Sequence, residues 1–314
     1  MLEKILLSLT QVILCLLLAP FIQGIIKNAK ARMQNRVGPS IFQPYRDLIK
    51  YFKKDAVISE HASWFTRVTP YICFAIVIVI SLMIPMITLY APLGIASDLI
   101  LVIYLFALNR FFTALTALDA GSSFGGMGSS REIMLSAILE PALLLSALAI
   151  LLQVGTTKLY VAATAINSAP GLVLQPTYFL AFIAMVMVII TETGRIPVDN
   201  PDTHLELTMI HEGMLLEYSG RYLGLMMWAS QIKQLLIFSI FISLFFPWGM
   251  SVVANDIVSL GIGLVVFIFK LACIGVFFAV IETMYAKMRL FQVPKLLASS
   301  MLLSILAIII TVVK

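Results

Sequence analysis

The sequence has 314 residues, of which 61% are hydrophobic and 12% are charged, and its formal net charge is +5. Soluble domains carry about 25% charged residues, so this composition excludes a soluble globular enzyme, a disordered chain and a nucleic-acid-binding module. It indicates an integral membrane protein. We predict an all-α fold that forms a single polytopic domain over residues 1–314.

Eight apolar stretches approach the roughly 20 residues that a helix needs to cross a bilayer. The first has no clear cleavage site, so we interpret it as a retained span rather than a signal peptide. An even number of spans places both termini on the same side. The predicted spans cover residues 5–26, 68–91, 98–118, 133–155, 176–193, 222–246, 257–281 and 296–313.

Basic residues are distributed unevenly between the two sets of loops. Of the 21 Lys and Arg residues, sixteen fall in or beside the first, third, fifth and seventh loops, and three fall in the opposite set. The remaining two lie within spans. The positive-inside rule therefore predicts cytoplasmic odd-numbered loops and external termini. Two of the cytoplasmic loops are long, at residues 27–67 and 192–221.

The first long loop contains a helical pattern. Tyr45, Leu48, Ile49 and Phe52 recur at i, i+3, i+4 and i+7, with charged residues on the other faces. This spacing predicts a short amphipathic helix on the inner membrane surface. Two roles remain open for it, namely an anchor to lipid headgroups and a docking surface for a cytoplasmic partner.

Several charged residues lie within or beside the predicted spans, where a central charge costs about 2.5–3.5 kcal/mol on insertion scales. Thirteen of the sixteen acids fall in the cytoplasmic loops or the inner half of the bilayer. This one-sided placement indicates a proton or ion path. Fixed ion pairs that only set helix packing are the alternative. The candidate path residues are Asp119, Glu132, Glu140, Glu192, Asp199, Glu206, Glu212, Glu217, Lys233, Lys270 and Glu282.

Other chemistries find little support. The three cysteines are isolated, and without a Cys-x-x-Cys motif the chain cannot hold an iron–sulfur cluster by its own thiolates. His204 and His211 lack metal-ligand spacing, so we interpret both as satisfied or solvated. The glycine-rich stretch 119–132, which we interpret as a loop between spans, has no phosphate-binding pattern. We therefore predict no catalytic, cofactor-binding or metal-binding residue in this chain.

Six segments, spread in order over nearly the whole chain, carry a family resemblance. They are RMQNRVGPSIFQPYRDLIKYFKKD (32–55), IYLFALNRFF (103–112), LDAGSSFGGMGSSREIMLSAILEP (118–141), ETGRIPVDNP (192–201), LEYSGRYLGLMMWASQIKQL (216–235) and IETMYAKMRL (281–290). Together they resemble the membrane-anchor subunit shared by respiratory complex I, where it is the H subunit, and the group 4 membrane-bound [NiFe] hydrogenases. The run from Pro197 to Gly220 is more similar to the hydrogenase branch, which includes formate hydrogenlyase and hydrogenase-4. Val198 departs from the Phe that is usual in quinone-reducing members.

The resemblance implies a subunit of an oxidoreductase complex in the prokaryotic cytoplasmic membrane. Its expected partners are [NiFe] hydrogenase-like large and small subunits and iron–sulfur subunits on the cytoplasmic side, antiporter-like membrane subunits that move H⁺ or Na⁺, and membrane lipids. The [NiFe] centre and the iron–sulfur clusters would lie in those partners. The family's acidic positions match Glu132, Glu140, Glu192, Glu206 and Glu217. We assign partner docking to Arg32, Arg36, Gly38, Pro39, Arg46, Lys50 and Arg195.

Three other functions remain as alternatives. The chain is alternatively the H subunit of a quinone-reducing NADH dehydrogenase, a passive membrane anchor, or a stand-alone secondary transporter. A transporter is disfavoured because no strong internal repeat is visible in the sequence. The electron donor, the terminal acceptor and the pumped ion stay open.

Overall fold

The computed structural model describes residues 2–60, 62–89, 91–199, 210–251 and 257–313. The regular structure of these ranges is helical, as predicted. The α-helices are α1 (Leu2–Met33), α2 (Gln43–Lys53), α3 (Trp64–Met83), α4 (Leu99–Asp119), α5 (Ser123–Val154), α6 (Leu159–Ser168), α7 (Pro176–Glu192), α8 (Gly220–Phe245), α9 (Ile257–Met284) and α10 (Val293–Val313).

Seven of the eight predicted spans correspond to helices that are long and apolar enough to cross a membrane, namely α1, α3, α4, α5, α8, α9 and α10. The eighth, α7, is apolar but has 17 residues, a length of about 26 Å at 1.5 Å per residue. The predicted multi-pass, all-helical fold is therefore confirmed, with α7 just below the length of the other spans.

The helix α5 begins ten residues before its predicted start, so the interpretation of residues 119–132 as a loop was largely wrong. The Ser122 hydroxyl accepts a hydrogen bond from the Gly125 amide (3.1 Å) and caps the helix. A Cβ at Gly125 would lie 2.7 Å from the Ala117 carbonyl oxygen. The glycine thus serves close packing against the end of α4 rather than a loop. As a result, Glu132 and Glu140 share one helix, two turns apart.

Two further helical segments were not predicted. The short helix α6 buries Leu159, Ala162, Ala163 and Ile166 on one face, a spacing typical of an amphipathic helix. The first helix, α1, continues to Met33, seven residues past its predicted end. This extension carries the basic side chain of Lys30 on a helix instead of in a loop.

The helix α8 lies at the centre of the bundle. It packs against α1, α2, α3, α6, α7 and α9. In its most apolar stretch, 61% of the residues are buried. The rings of Phe238 on α8 and Phe278 on α9 stack with centroids 5.2 Å apart. On the other side of the bundle, α5 packs against α4, α7 and α10. The polar side chains of α4, α5, α7 and α8 meet between these two groups.

The helix predicted in the first loop is present as α2 and packs against α8 and α1. Leu48 is buried, and the Phe52 ring contacts Trp228 at 6.1 Å between centroids. Ile49, by contrast, remains 55% exposed. The chain before α2 lies directly on α1. The contact is so close that a Cβ at Gly24 would overlap the carbonyl oxygen of Ile41.

Candidate functional site

One arginine holds three carboxylates inside the bundle. The Nε of Arg110 on α4 lies 3.0 Å from Oε1 of Glu132, its Nη1 lies 2.8 Å from Oε1 of Glu140, and its Nη2 lies 2.5 Å from Oε2 of Glu192. The Nζ of Lys233 on α8 lies 2.7 Å from the other oxygen of Glu192. We call these five residues the Arg110 cluster. They bring together four of the predicted path residues.

The Arg110 cluster carries an uneven charge. With every group ionised, its two cations and three carboxylates sum to −1. The side chains of Arg110, Glu132 and Glu192 are at most 6% exposed, whereas that of Glu140 is 34% exposed. An uncompensated charge inside a low-dielectric interior is costly. The cluster thus has one carboxylate more than it has cations, and Glu140 is its most accessible member.

A second cluster lies at the C-terminal ends of α1, α7 and α9. The Oε2 of Glu282 lies 3.3 Å from the Nζ of Lys30, and its Oε1 accepts a hydrogen bond from Nη1 of Arg195. The Nη2 of Arg195 donates to Oε1 of Gln23 (2.8 Å). We call these four residues the Glu282 cluster. Arg195 follows Glu192 by three residues, so the end of α7 joins the two clusters.

Asp199 holds the polypeptide that follows α7. Its Oδ1 lies 2.9 Å from the Nζ of Lys287, and its Oδ2 accepts a hydrogen bond from the Ile210 amide (3.1 Å). The carboxylate thus links the segment at 195–199 both to the polypeptide after α9 and to the segment that begins at Ile210. This predicted path residue therefore also has a structural role.

Two polar cavities adjoin the clusters. The larger, of about 150 Å³, is lined by residues that include Glu192, Arg195, Lys233 and Glu282. The smaller, of about 70 Å³, is lined by Arg110, Glu132 and Lys233 among others. A water molecule needs only about 10–15 Å³ of such volume together with polar partners. Both cavities are therefore large and polar enough to hold water.

Asp119 lies apart from both clusters, at the end of α4. Its Oδ2 accepts hydrogen bonds from the Ser63 amide (3.0 Å), the Ser63 hydroxyl (2.9 Å) and the Thr66 hydroxyl (2.6 Å). A carboxylate at the start of α3 also interacts favourably with the positive end of the helix dipole. Next to it, the Tyr218 hydroxyl donates to the Thr66 carbonyl (3.1 Å), and burial raises the pKa of Tyr218. These contacts fix the start of α3.

Lys270 also lies outside the two clusters. Its ammonium donates hydrogen bonds to the carbonyl oxygens of Phe246 (2.7 Å) and Trp248, which directly follow the end of α8. Lysine commonly satisfies free carbonyl groups at a helix C-terminus and interacts favourably with its dipole. These contacts account for a cation in the middle of α9 that has no acidic partner among the described residues.

The remaining predicted path residues lie in the second long loop. Glu212 belongs to a short 3₁₀ helix, Glu212–Leu215, and lines the 150 Å³ cavity. Glu217 lies in the turn before α8, and no ion pair among the described residues joins it to either cluster. Glu206 lies outside the described residues, as does His204.

Five of the seven predicted docking residues are exposed. Arg195 is 6% exposed and pairs with Glu282, so its assignment to a docking surface was wrong. Gly38 is partly buried, because a Cβ there would lie 3.0 Å from the Cβ of Ala31. The exposed residues, all in or near the first loop, are Arg32, Arg36, Pro39, Arg46 and Lys50.

Several members of these sites were not predicted from the sequence. Lys30 and Lys287 were treated only as loop charges, and Gln23 was not singled out. His211, which we interpreted as satisfied or solvated, has its Nε2 3.5 Å from Oε2 of Glu132. The one sequence signal for Arg195 was its position between Glu192 and Asp199, two acids that need cations if they are buried.

The fold and these clusters define a polytopic helical membrane protein with a network of buried ion pairs. Within the described ranges, no three His, Cys, Asp or Glu side chains are grouped so that they could hold a metal ion. The NADH dehydrogenase family model matches residues 5–313. The chain therefore belongs to this family, and the resemblance found in the sequence is confirmed.

Two relatives from hydrogenase complexes match almost the whole chain. Formate hydrogenlyase subunit 4 of Escherichia coli is 34% identical over 93% of this chain and 94% of its own length. Hydrogenase-4 component C of the same organism is 36% identical over 90% and 88%. An H subunit of the NADH-quinone oxidoreductase of Symbiobacterium thermophilum is 26% identical over 60% and 58%. The chain is thus more similar to the two hydrogenase components than to this relative from the quinone-linked enzyme.

A solved structure shares the fold. A chain of the membrane-bound sulfane sulfur reductase, an archaeal respiratory membrane complex, superposes with a TM-score of 0.82. The match covers 98% of this chain and 99% of that one, at 22% sequence identity. At this identity, the likeness establishes the common fold.

Proposed function

We propose that this chain is the membrane subunit of a redox-driven complex and that it couples electron transfer to the movement of protons or sodium ions. In this role it anchors a cytoplasmic arm of [NiFe] hydrogenase-like and iron–sulfur subunits, and it adjoins antiporter-like subunits in the cytoplasmic membrane. The [NiFe] centre and the clusters belong to those partners. The similarity to two hydrogenase components over at least nine-tenths of the chain supports this branch.

The Arg110 cluster is the observation that carries the coupling role. Three carboxylates share one guanidinium and one ammonium inside a helical bundle, where fixed hydrophobic packing would be less costly. Because the ionised groups sum to −1, a change of one charge nearby alters the free energy of protonation of the whole cluster. Electron transfer in an adjoining arm is such a change. The cluster is thereby suited to exchange a proton in step with redox turnover.

Neutralising Glu140 tests this function with the least risk to folding, since Glu140 is the most exposed carboxylate of the cluster. We expect the Glu140→Gln complex to assemble but to move fewer protons per electron. The complex is purified with its partners and reconstituted in vesicles, reduced methyl viologen supplies electrons, and a pH-sensitive dye reports proton movement. Glu60→Gln, at an exposed acid outside both clusters, is the matched control.

The same preparation distinguishes the alternatives. Mass spectrometry and metal analysis of the purified complex identify nickel, iron and the partner subunits. Nickel with a hydrogenase-like large subunit supports the hydrogenase branch, whereas its absence contradicts that branch. If Glu140→Gln and Glu192→Gln both couple normally, the coupling role is wrong. If both reduce assembly while the complex that does assemble couples fully, the cluster only sets helix packing.

A further inference from the structure

His211 lies where the two polar cavities meet. It lines both the 150 Å³ and the 70 Å³ cavity, and its Nε2 is 3.5 Å from Oε2 of Glu132. The side chain is 34% exposed, whereas its Nδ1 is buried and has no hydrogen-bond partner among the described residues. The imidazole therefore faces the Arg110 cluster on one side and polar space on the other.

Two glycines and an aspartate set the position of this imidazole. Gly194 has a positive φ of 59°, and a Cβ there would lie 2.7 Å from Nδ1 of His211. On α5, a Cβ at Gly128 would lie 3.0 Å from the carbonyl oxygen of Ile210. Asp199 accepts a hydrogen bond from the Ile210 amide. Helix α5 and the stretch that follows α7 thus hold the backbone and the ring against Glu132.

His211 lies among charged groups of both signs. Glu132 faces it from α5, and the 150 Å³ cavity that it lines also carries Glu192, Asp199, Glu212, Glu282, Lys27, Lys30, Arg195 and Lys233. A protonated imidazole would bring the −1 of the ionised Arg110 cluster to zero. Histidine is also the side chain that ordinarily gains and loses a proton near neutral pH.

We propose that His211 is the relay through which a proton passes between the 150 Å³ cavity and Glu132; this inference rests on the proposed coupling function. The imidazolium gives its Nε2 proton to Oε2 of Glu132, which leaves a neutral imidazole and a neutral carboxylic acid. Once Glu132 has passed this proton on, a hydronium ion in the cavity protonates Nε2 again and becomes water, since Nδ1 is buried. No electron is transferred, and total charge is conserved in each step.

The variant His211→Gln tests the relay, because glutamine retains a donor near Glu132 but does not carry a proton. In the reconstituted complex we expect a loss of proton-coupled turnover of about 100-fold or more, the range for a removed proton-transfer group. We also expect the change in turnover between about pH 6 and 8, where histidine ordinarily titrates, to flatten. Cys73→Ala is the matched control, since Cys73 lines the same 70 Å³ cavity without a place in the relay.

Chemical rescue separates a relay from a merely structural role. Added imidazole should restore part of the turnover of the His211→Gly complex and leave the Cys73→Ala complex unchanged. His211→Asn serves in place of His211→Gln where the latter assembles poorly. Wild-type turnover and pH profile in the Gln or Asn variant, or failure of rescue in an assembled His211→Gly complex, would overturn the relay. If Glu140→Gln is nevertheless impaired, the proposed function stands without it.

Discussion

Arg110 is the residue on which the interior charges depend. Its three nitrogens each face a different carboxylate, and those carboxylates come from two helices. Arginine suits this task because its planar guanidinium presents several donors at fixed angles and stays protonated. Lys233 contacts only Glu192 within the cluster. Without Arg110, two of the three carboxylates would therefore have no cation within the cluster.

We expect Arg110→Gln to destabilise the complex by about 3–5 kcal/mol, the usual cost of removing one partner from a buried ion pair. Thermal unfolding of the purified complex measures this loss. The double variant Arg110→Gln/Glu132→Gln should recover part of it, because it also removes one uncompensated carboxylate. Arg67→Gln, at an exposed arginine outside both clusters and the docking residues, is the control. An unchanged transition in Arg110→Gln would show that the cluster does not depend on this guanidinium.

At the scale of elements, the end of α8 is held by a side chain of α9. Lys270 donates to two carbonyl groups that directly follow α8. The sequence placed this lysine in the ion path because a charge in mid-span is costly. Sequence position alone does not reveal that neighbouring carbonyl groups can meet that cost, so our proposal for the coupling role does not include Lys270.

We expect Lys270→Met to lower stability by about 1–3 kcal/mol, because it removes two hydrogen bonds from a charged donor to the carbonyl groups after α8. Proton movement per electron in the assembled complex should match that of the wild type. Thermal unfolding and the vesicle assay measure the two quantities on one preparation. Normal stability together with impaired coupling would restore Lys270 to the ion path.

The contact between α1 and the first loop depends on a glycine without a side chain. We expect Gly24→Ala to push the segment near Ile41 away from α1, because the new Cβ would overlap the Ile41 carbonyl oxygen. Faster tryptic cleavage in the first loop, at Arg32 or Arg36, reports this displacement. Gly126→Ala is the matched control, since nothing lies within 4 Å of a Cβ at that helical position. Equal cleavage in both variants would contradict the close contact.

At the scale of the whole molecule, the sequence predicts the spans well because apolar length alone determines them. Glu132, Glu140, Glu192 and Lys233 were identified for a related reason, since charges in hydrocarbon are exceptional. The pairing of these groups depends on how helices distant in the sequence pack. The glycines at the start of α5 led us to predict a loop there. Glycine is common in loops, but it is also used where two helices come into close contact.

The contribution of the second long loop was the hardest part to predict. Arg195 and His211 lie in a polar stretch, where neither periodicity nor hydropathy separates a buried side chain from a solvated one. Arg195 is buried against Glu282 and Gln23, and His211 is held by close contacts at Gly194 and Gly128, which only the folded chain shows. Polar residues beside glycines in such a loop are therefore worth testing as interior groups.

The 150 Å³ cavity between α1, α7, α8 and α9 has an electrical consequence for the proposed coupling role. A membrane voltage falls mainly across the dry part of the bilayer, and moving one elementary charge through it requires about 2.3 kcal/mol per 100 mV. Water in this cavity would extend the potential of the adjoining compartment up to Glu192. In the proposed coupling role, the protonation of these carboxylates would then be nearly independent of voltage. The electrical work would be done when the proton moves on beyond Glu140.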